Sequence, residues 1–219
     1  MKVVVVDYGM GNLFSVCRAL EACGAEPLLS NTPHEILKAK ALLLPGVGAF
    51  ADGMVGLSEL GLIQPIREYA KTGRPLLGIC LGMQMLLDSG EEFGIHEGLG
   101  LIPGTVRPIP STGSDGQAHK IPHIGWNALL KPKTRKPETS SWADSILEEI
   151  EEEQRAYFVH SFTAVPTQEE HRLADCDYNG QRISAAVQSG NIYGTQFHPE
   201  KSGPVGLKIL KNFLAICDN

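Results

Sequence analysis

The chain has 219 residues, 42% hydrophobic and 20% charged, with a net charge of −6 from 19 basic and 25 acidic residues. At roughly 150 residues per domain this is one large domain or two small ones, of ordinary globular composition, which excludes a disordered or low-complexity chain. The acidic balance argues against sequence-independent nucleic-acid binding, which needs clustered Lys and Arg, and no apolar run approaches the roughly 18 residues of a membrane span.

Met1–Asp7 is too short for the apolar region of a signal peptide and carries no cleavage site. Five scattered cysteines without a Cys-x-x-Cys make neither a disulfide framework nor a zinc site, so a reducing, cytoplasmic setting is expected. Val3–Val6 reads as a buried strand. Asn12 to Cys23 has helical spacing, with Leu13, Val16, Cys17 and Leu20 on one face and Gly24 as the stop. Pro27–Leu29 is a weaker strand, and Asn31-Thr32-Pro33 starts a helix with Pro at its first position. Ala41–Leu44 is a third strand, Leu62–Lys71 a helix that ends at Gly73, and Leu76–Cys80 a fourth strand followed at once by a helix over Leu81–Leu87. Such alternation, with near-continuous apolar strands, predicts a parallel sheet covered on both faces.

From Gly94 to Pro137 the chain turns rich in Gly and Pro. Ile121–Leu130, Ala156–Phe162 and Asn191–Phe197 read as strands, and Asn179-Gly180 as a hairpin turn. Ser202-Gly203-Pro204 opens a closing helix from Val205 to Ile216. The four basic residues of Lys131–Lys136 and the five acidic residues of Glu148–Glu153 read as solvated surface. No linker and no internal repeat is visible. The expectation is one α/β domain over residues 1–219 with a mixed sheet.

The sharpest local signal is Gly78-Ile79-Cys80-Leu81-Gly82, between an apolar strand and a helix. This is a nucleophile-elbow pattern with Cys in place of Ser. The turn needs small residues two before and two after the nucleophile, and the following helix N-terminus favours a thiolate. A buried cysteine in a glycine-rich turn fits an isolated pattern equally well. Cys17, Cys23 and Cys217 fall on helical patterns and Cys176 in a strand, as core or inert positions. A thiolate nucleophile needs a base and the base an orienting group. His198-Pro199-Glu200 follows the last strand and supplies both; alone, that triplet reads as a surface loop. Both motifs fall at strand ends, where open α/β sheets put their sites.

Leu44-Pro45-Gly46-Val47-Gly48-Ala49-Phe50 follows the third strand. Its glycines suit backbone donors aimed at a developing oxyanion, and a peptide unit that can change orientation. Gly46-x-Gly48-x-x-Ala51 formally matches a dinucleotide fingerprint, but that fingerprint belongs to the first βα turn. His34, His96, His119, His123 and His171 show no ligand spacing and read as surface or structural, so no metal site is expected. His160 ends a strand; substrate lining and strand-end packing suit it equally.

Gly78-Ile79-Cys80-Leu81-Gly82-Met83-Gln84 with His198-Pro199-Glu200 resembles the class I, triad-type glutamine amidotransferases, over essentially the whole chain. Four further segments are Tyr8-Gly9-Met10-Gly11-Asn12-Leu13, Pro45-Gly46-Val47-Gly48-Ala49-Phe50, His123-Ile124-Gly125-Trp126-Asn127 and Tyr157-Phe158-Val159-His160-Ser161-Phe162. They are similar to the glutaminase subunits of imidazole glycerol phosphate synthases, of histidine biosynthesis. The elbow and triad are specific to the class only; the Gly-Trp-Asn and Tyr-Phe-Val-His segments are more specific. The departure is the charged stretch of about Lys131 to Gln154, longer than such subunits need.

The resemblance implies a flavodoxin-like fold, a central mixed, mostly parallel sheet flanked by helices, and no cofactor. It implies Cys80 as nucleophile, His198 as acid and base, and Glu200 as its orienting group. Backbone N–H groups of Leu81 and of Val47 or Gly48 would hold the oxyanion. Gly48, Gln84, Glu92, His160, Ser161 and Phe162 would line the glutamine pocket, with Glu92 pairing the substrate ammonium; a solvated helix end is the plainer reading of Glu92. The implied partner is a (β/α)8-barrel cyclase subunit, met through Asn12, Trp126, Tyr157 and Lys201. Trp126 and Tyr157 as core aromatics and Lys201 as a surface charge are the competing readings. Three other functions stay open: another triad amidotransferase, a stand-alone cysteine hydrolase on the same fold, and a non-catalytic nucleotide-binding module.

Overall fold

The computed structural model describes residues 1–133 and 142–218. Strands β1 (Lys2–Val6), β2 (Glu26–Ser30), β3 (Leu42–Gly46) and β4 (Leu76–Cys80) are connected through helices α1 (Leu13–Ala22), α2 (Pro33–Lys38), α3 (Phe50–Glu59) and α4 (Ile63–Lys71). Asn12 caps α1 by accepting from the Ser15 N–H at 3.4 Å. Pro33 opens α2, where its missing N–H has no partner to lose. Short helix α5 (Leu81–Met85) runs directly from β4.

The second half supplies β5 (Leu87–Gly90), β6 (His96–Glu97), β7 (Ile102–Pro108), β8 (His123–Ala128), β9 (Arg155–His160), β10 (Phe162–Pro166), β11 (Arg172–Tyr178), β12 (Gln181–Ser189) and β13 (Ile192–Thr195). Helix α6 (Gly203–Asp218) closes the chain. The main sheet has the order β11-β12-β13-β4-β3-β1-β2. From β13 to β2 its strands are parallel, and β12 and β11 add an antiparallel flap. Asn179 and Gly180 both have positive φ, so they turn β11 into β12 as the Asn-Gly pair predicts. A four-stranded sheet, β10-β7-β5-β6, and the two-stranded β8-β9 ribbon complete the fold.

Alternate side chains of the apolar strands enter two separate cores. Val3, Val5, Leu43, Leu77 and Ile79 face α1 and α6, with Phe158 of the β8-β9 ribbon behind them. Val4, Val6, Leu42, Leu44 and Leu76 face α2, α3, α4 and the four-stranded sheet. Burial on both faces is why these strands read as unbroken apolar runs. Edge strand β2 is only half-buried and tolerates Pro27.

One element escapes the sequence reading and one expectation is corrected. Helix α3 carries no legible signal because Gly53 and Gly56 lie inside it. A Cβ at Gly53 would stand 2.8 Å from Met85 Sδ, and one at Gly56 3.0 Å from the Tyr8 carbonyl, so close packing selects residues that helix propensity disfavours. The helix after Cys80 ends at Met85, and Leu87 opens β5 instead of closing the helix. The acidic run is solvated as expected, with apolar neighbours turned inward. Glu148, Glu149, Glu151, Glu152 and Glu153 are exposed, but Trp142, Ile146, Leu147 and Ile150 pack into the α6-side core. The Trp142 indole N–H donates to the Leu173 carbonyl at 2.9 Å. The basic run reaches residues 134–136, which lie outside the described residues. No described helix is long and apolar enough to cross a membrane.

Candidate active site

The parallel strands all end at one edge, and their ends meet in a cavity of about 280 Å³. It is lined by Cys80 and Leu81 from the β4–α5 junction, Val47 and Gly48 after β3, Gln84, Glu92, His160, Ser161, Phe162 and His198. All ten were singled out from the sequence. Pro122 and Val159 line it as well and carry no sequence signal of their own.

Cys80 adopts φ 54° and ψ −110°, a left-handed conformation that costs a non-glycine residue energy and is held only by its surroundings. Those surroundings are tight. A Cβ at Gly82 would collide with the Leu44 carbonyl, and one at Gly78 would stand 2.7 Å from the Gly82 backbone. The glycine spacing that marked the elbow is thus a close-approach requirement between β3, β4 and α5. The Cys80 side chain lies 3.8 Å from Gln196 Nε2 and 3.9 Å from the Val159 carbonyl.

His198 follows β13, and its backbone N–H donates to the Tyr157 carbonyl at 2.9 Å. Its Nδ1 lies 2.8 Å from Glu200 Oε1, both side chains almost wholly buried. Nε2 is buried against the Cys80 side of the cavity without a fully formed hydrogen bond. Burial would lower the imidazole's pKa, but its interactions with Cys80 and Glu200 outweigh that and raise it to about 9. Buried Ser202 fastens the turn: its hydroxyl donates to the His198 carbonyl at 2.7 Å and accepts from the Tyr157 N–H at 3.0 Å. The arrangement suits thiol attack assisted by an oriented imidazole.

Across the cavity, Gly48 has φ +107°, which glycine adopts at little cost. Val47 and Gly48 are exposed, while the preceding strand end is clamped by Tyr8, whose hydroxyl donates to the Pro45 carbonyl at 2.8 Å. Glu92 is not a helix end. It follows β5 and its carboxylate accepts from the Phe50 N–H at 2.7 Å, capping α3 where Ala49 offers no side-chain cap. Gln84 donates to Gln196 Oε1 at 3.0 Å and to the Phe162 carbonyl at 3.4 Å. Gln196 is wholly buried, and nothing in its spacing or neighbours marks it in the sequence.

The four interface candidates differ in exposure. Trp126 on β8 is 51% exposed, so it is not a core aromatic. It pairs across the ribbon with half-buried Tyr157, ring centroids 6.1 Å apart. Lys201 is exposed in the turn after His198, and Asn12 is the α1 cap. The dinucleotide pattern at Gly46-x-Gly48 falls after β3, not in the first βα turn. Among the described residues no group of three or more His, Cys, Asp or Glu side chains is placed to hold a metal ion.

An elbow cysteine and a strand-end His–Glu pair meet at the strand ends of an open α/β sheet, and the chain belongs to the glutamine amidotransferase class-I family, whose model matches residues 4–217. It is 55% identical over 215 residues to imidazole glycerol phosphate synthase subunit HisH 1 of Legionella pneumophila (strain Lens), covering 98% of this chain and 99% of that one. It is 48% identical over 218 residues to imidazole glycerol phosphate synthase subunit HisH of Methanosarcina barkeri (strain Fusaro / DSM 804), covering 99% of each. Within the class it therefore groups with the HisH subunits. Among solved structures, that of PurLQS from Thermotoga maritima superposes with a TM-score of 0.71 at 24% identity, covering 98% of this chain and 97% of that chain, a likeness of fold.

Proposed function

We propose that the chain is the glutaminase subunit of an imidazole glycerol phosphate synthase. It hydrolyses glutamine to glutamate and ammonia. The ammonia passes to a (β/α)8-barrel cyclase subunit, which makes imidazole glycerol phosphate and an aminoimidazole carboxamide ribonucleotide in histidine biosynthesis. The observation that carries this reading is the meeting of Cys80 with a buried His198–Glu200 pair in one cavity at the strand ends.

Cys80 sulfur attacks the side-chain amide carbon of glutamine, and its proton goes to His198 Nε2. The backbone N–H groups of Leu81 and of Val47 or Gly48 hold the tetrahedral oxyanion. His198 returns the proton to the leaving nitrogen, the C–N bond breaks, and ammonia departs to leave a thioester. His198 then takes a proton from water, the hydroxide attacks the thioester carbon, and glutamate leaves as the thiol is restored. Glu200 keeps the imidazole in one orientation and stabilises its charged form. Gly48, Gln84, Glu92, His160, Ser161 and Phe162 form the glutamine pocket, with Glu92 against the substrate ammonium. Ammonia at neutral pH is mostly protonated and not nucleophilic, so a sealed route to the partner is useful; Asn12, Trp126, Tyr157 and Lys201 form the contact.

The test is glutamine hydrolysis with and without a cyclase subunit and its ribulosyl ligand. Strong stimulation by the pair supports the coupled subunit. Equal rates with and without them would make the chain a stand-alone cysteine hydrolase.

A further inference from the structure

His123 and His160 stand opposite each other in the β8–β9 register, both buried, with His123 Nδ1 2.9 Å from His160 Nε2. The direction of that bond follows from its ends. His160 Nδ1 lies 2.8 Å from the Phe162 carbonyl, which can only accept, so Nδ1 carries the proton and Nε2 is the acceptor. His123 Nδ1 is then the donor, and its Nε2 accepts from Asn127 Nδ2 at 3.4 Å. Asn127 is held in that orientation, because its Oδ1 accepts from the Ala128 N–H at 2.8 Å and its Nδ2 donates to the Asp177 carbonyl at 2.6 Å. Three donors therefore point one way, from Asn127 through His123 and His160 to the Phe162 carbonyl. The same carbonyl receives Gln84, which leads through Gln196 to Cys80.

Each link requires a neutral ring, since a proton on either acceptor nitrogen would set two donors face to face. Burial lowers the His160 pKa to about 3 and that of His123 to about 4. The titratable groups that face them are His119 and Tyr178 beside His123, and His198 beside His160. Phe158 and Tyr178 stack on the two sides of the His123 ring. His123 itself lines no part of the Cys80 cavity, whereas His160, Ser161 and Phe162 do.

We propose that His123 is a positioning residue for glutamine binding: by donating to His160 Nε2 it holds that ring in one tautomer and fixes the His160–Phe162 corner of the pocket. This rests on the glutaminase reading. The experiment uses the chain in complex with its cyclase. His123→Phe keeps a ring between Phe158 and Tyr178 but removes the donor; His123→Asn places an amide nitrogen where Nδ1 stood. His123→Phe is expected to raise the glutamine KM roughly tenfold with kcat changed less than about threefold, the pattern of lost ground-state binding. His123→Asn is expected to bring KM back to within about threefold of wild type. In wild type, nitrogen-15 imidazole shifts should report both rings neutral with the proton on Nδ1 down to about pH 5. An unchanged KM in His123→Phe overturns the proposal, as does a His160 proton found on Nε2. So does a loss that tracks melting temperature and is not restored by Asn. If wild type itself hydrolyses no glutamine with its partner bound, the glutaminase reading fails instead, and the nitrogen-15 tautomers still decide whether the directed chain exists.

Discussion

The two walls of the Cys80 cavity are built to different tolerances. On one, Cys80 and His198 are buried with the Glu200 side chain, strapped to β9 through Tyr157 and Ser202, and backed by Gln196. On the other, Val47 is 41% exposed and Gly48 sits at φ +107° in a short stretch between β3 and α3. Cys80 and His198 are preorganised by the core, while the stretch after β3 that is proposed to hold the oxyanion rests on a glycine whose conformation other residues disfavour. Under the proposed function, a cyclase docking at this edge would meet an exposed wall on one side and a buried one on the other.

The comparison breaks first at the buried wall. Cys80→Ala is expected to cut glutamine-dependent synthesis by at least about a thousandfold, since nucleophile and base act as a unit. Ammonia-dependent synthesis should survive, because the acceptor site is on the partner. His198→Ala should lose nearly as much, and Glu200→Gln less than either. Steady-state assays with glutamine and with ammonium salts separate these cases; wild-type hydrolysis in Cys80→Ala would remove it as nucleophile. The exposed wall gives the next effect. Gly48→Val should lower turnover about a hundredfold with the fold intact, as expected for one lost oxyanion donor. Its Cβ would press on Met10 Cε at 2.7 Å, the movable end of a flexible side chain, so circular dichroism should stay native. An unchanged kcat would take this stretch out of the mechanism.

Coupling to the partner comes third. Trp126→Ala and Lys201→Ala should each reduce the stimulation by cyclase and ligand, roughly tenfold for a central anchor. Basal hydrolysis and melting temperature of Trp126→Ala should stay near wild type. Full stimulation in both variants would move the contact elsewhere.

The smallest effect sharpens the contrast through pH, because the buried imidazoles depart from 6.5 in opposite directions. His198 is raised to about 9, so its contribution to stability is complete below pH 6.5 and is lost as pH rises through 9. His123 and His160 are lowered to about 4 and 3, so theirs is present above pH 6.5 and is lost as pH falls through those values. Calorimetry should show the melting temperature falling on both sides of pH 6.5. In Glu200→Gln the alkaline fall should be shallower and the acid fall unchanged; an unaltered alkaline slope would disconnect Glu200 from the His198 charge.

Much of the fold was readable locally. The unbroken runs Val3–Val6 and Leu76–Cys80, the Asn12 cap with Gly24 beyond it, and the Asn179-Gly180 turn each carry a local physical signal, and each element is where that signal puts it. Cys80, His198 and Glu200 were legible because a strained turn and an oriented base demand particular neighbours. Helix α3 was not, since Gly53 and Gly56 answer to Met85 and Tyr8, which local propensity does not see. The His123–His160 link and Gln196 were hidden for the same reason. A single polar residue in or just past a strand has no spacing to betray it, and only the pairing of β8 with β9, and of β13 with β4, sets His123 against His160 and Gln196 behind Cys80.

The sequence by itself determined the wound βα order, the elbow and the base, because strand burial, glycine close approach and the needs of a thiolate are written within a few residues of each site. Tertiary structure alone decided which carboxylate caps α3 and which way the buried imidazoles point their protons. Those depend on hydrogen-bond partners 37 to 50 positions apart in the chain, as His123 and His160, Phe50 and Glu92, and Asn127 and Asp177 are, and no local pattern of residues specifies them.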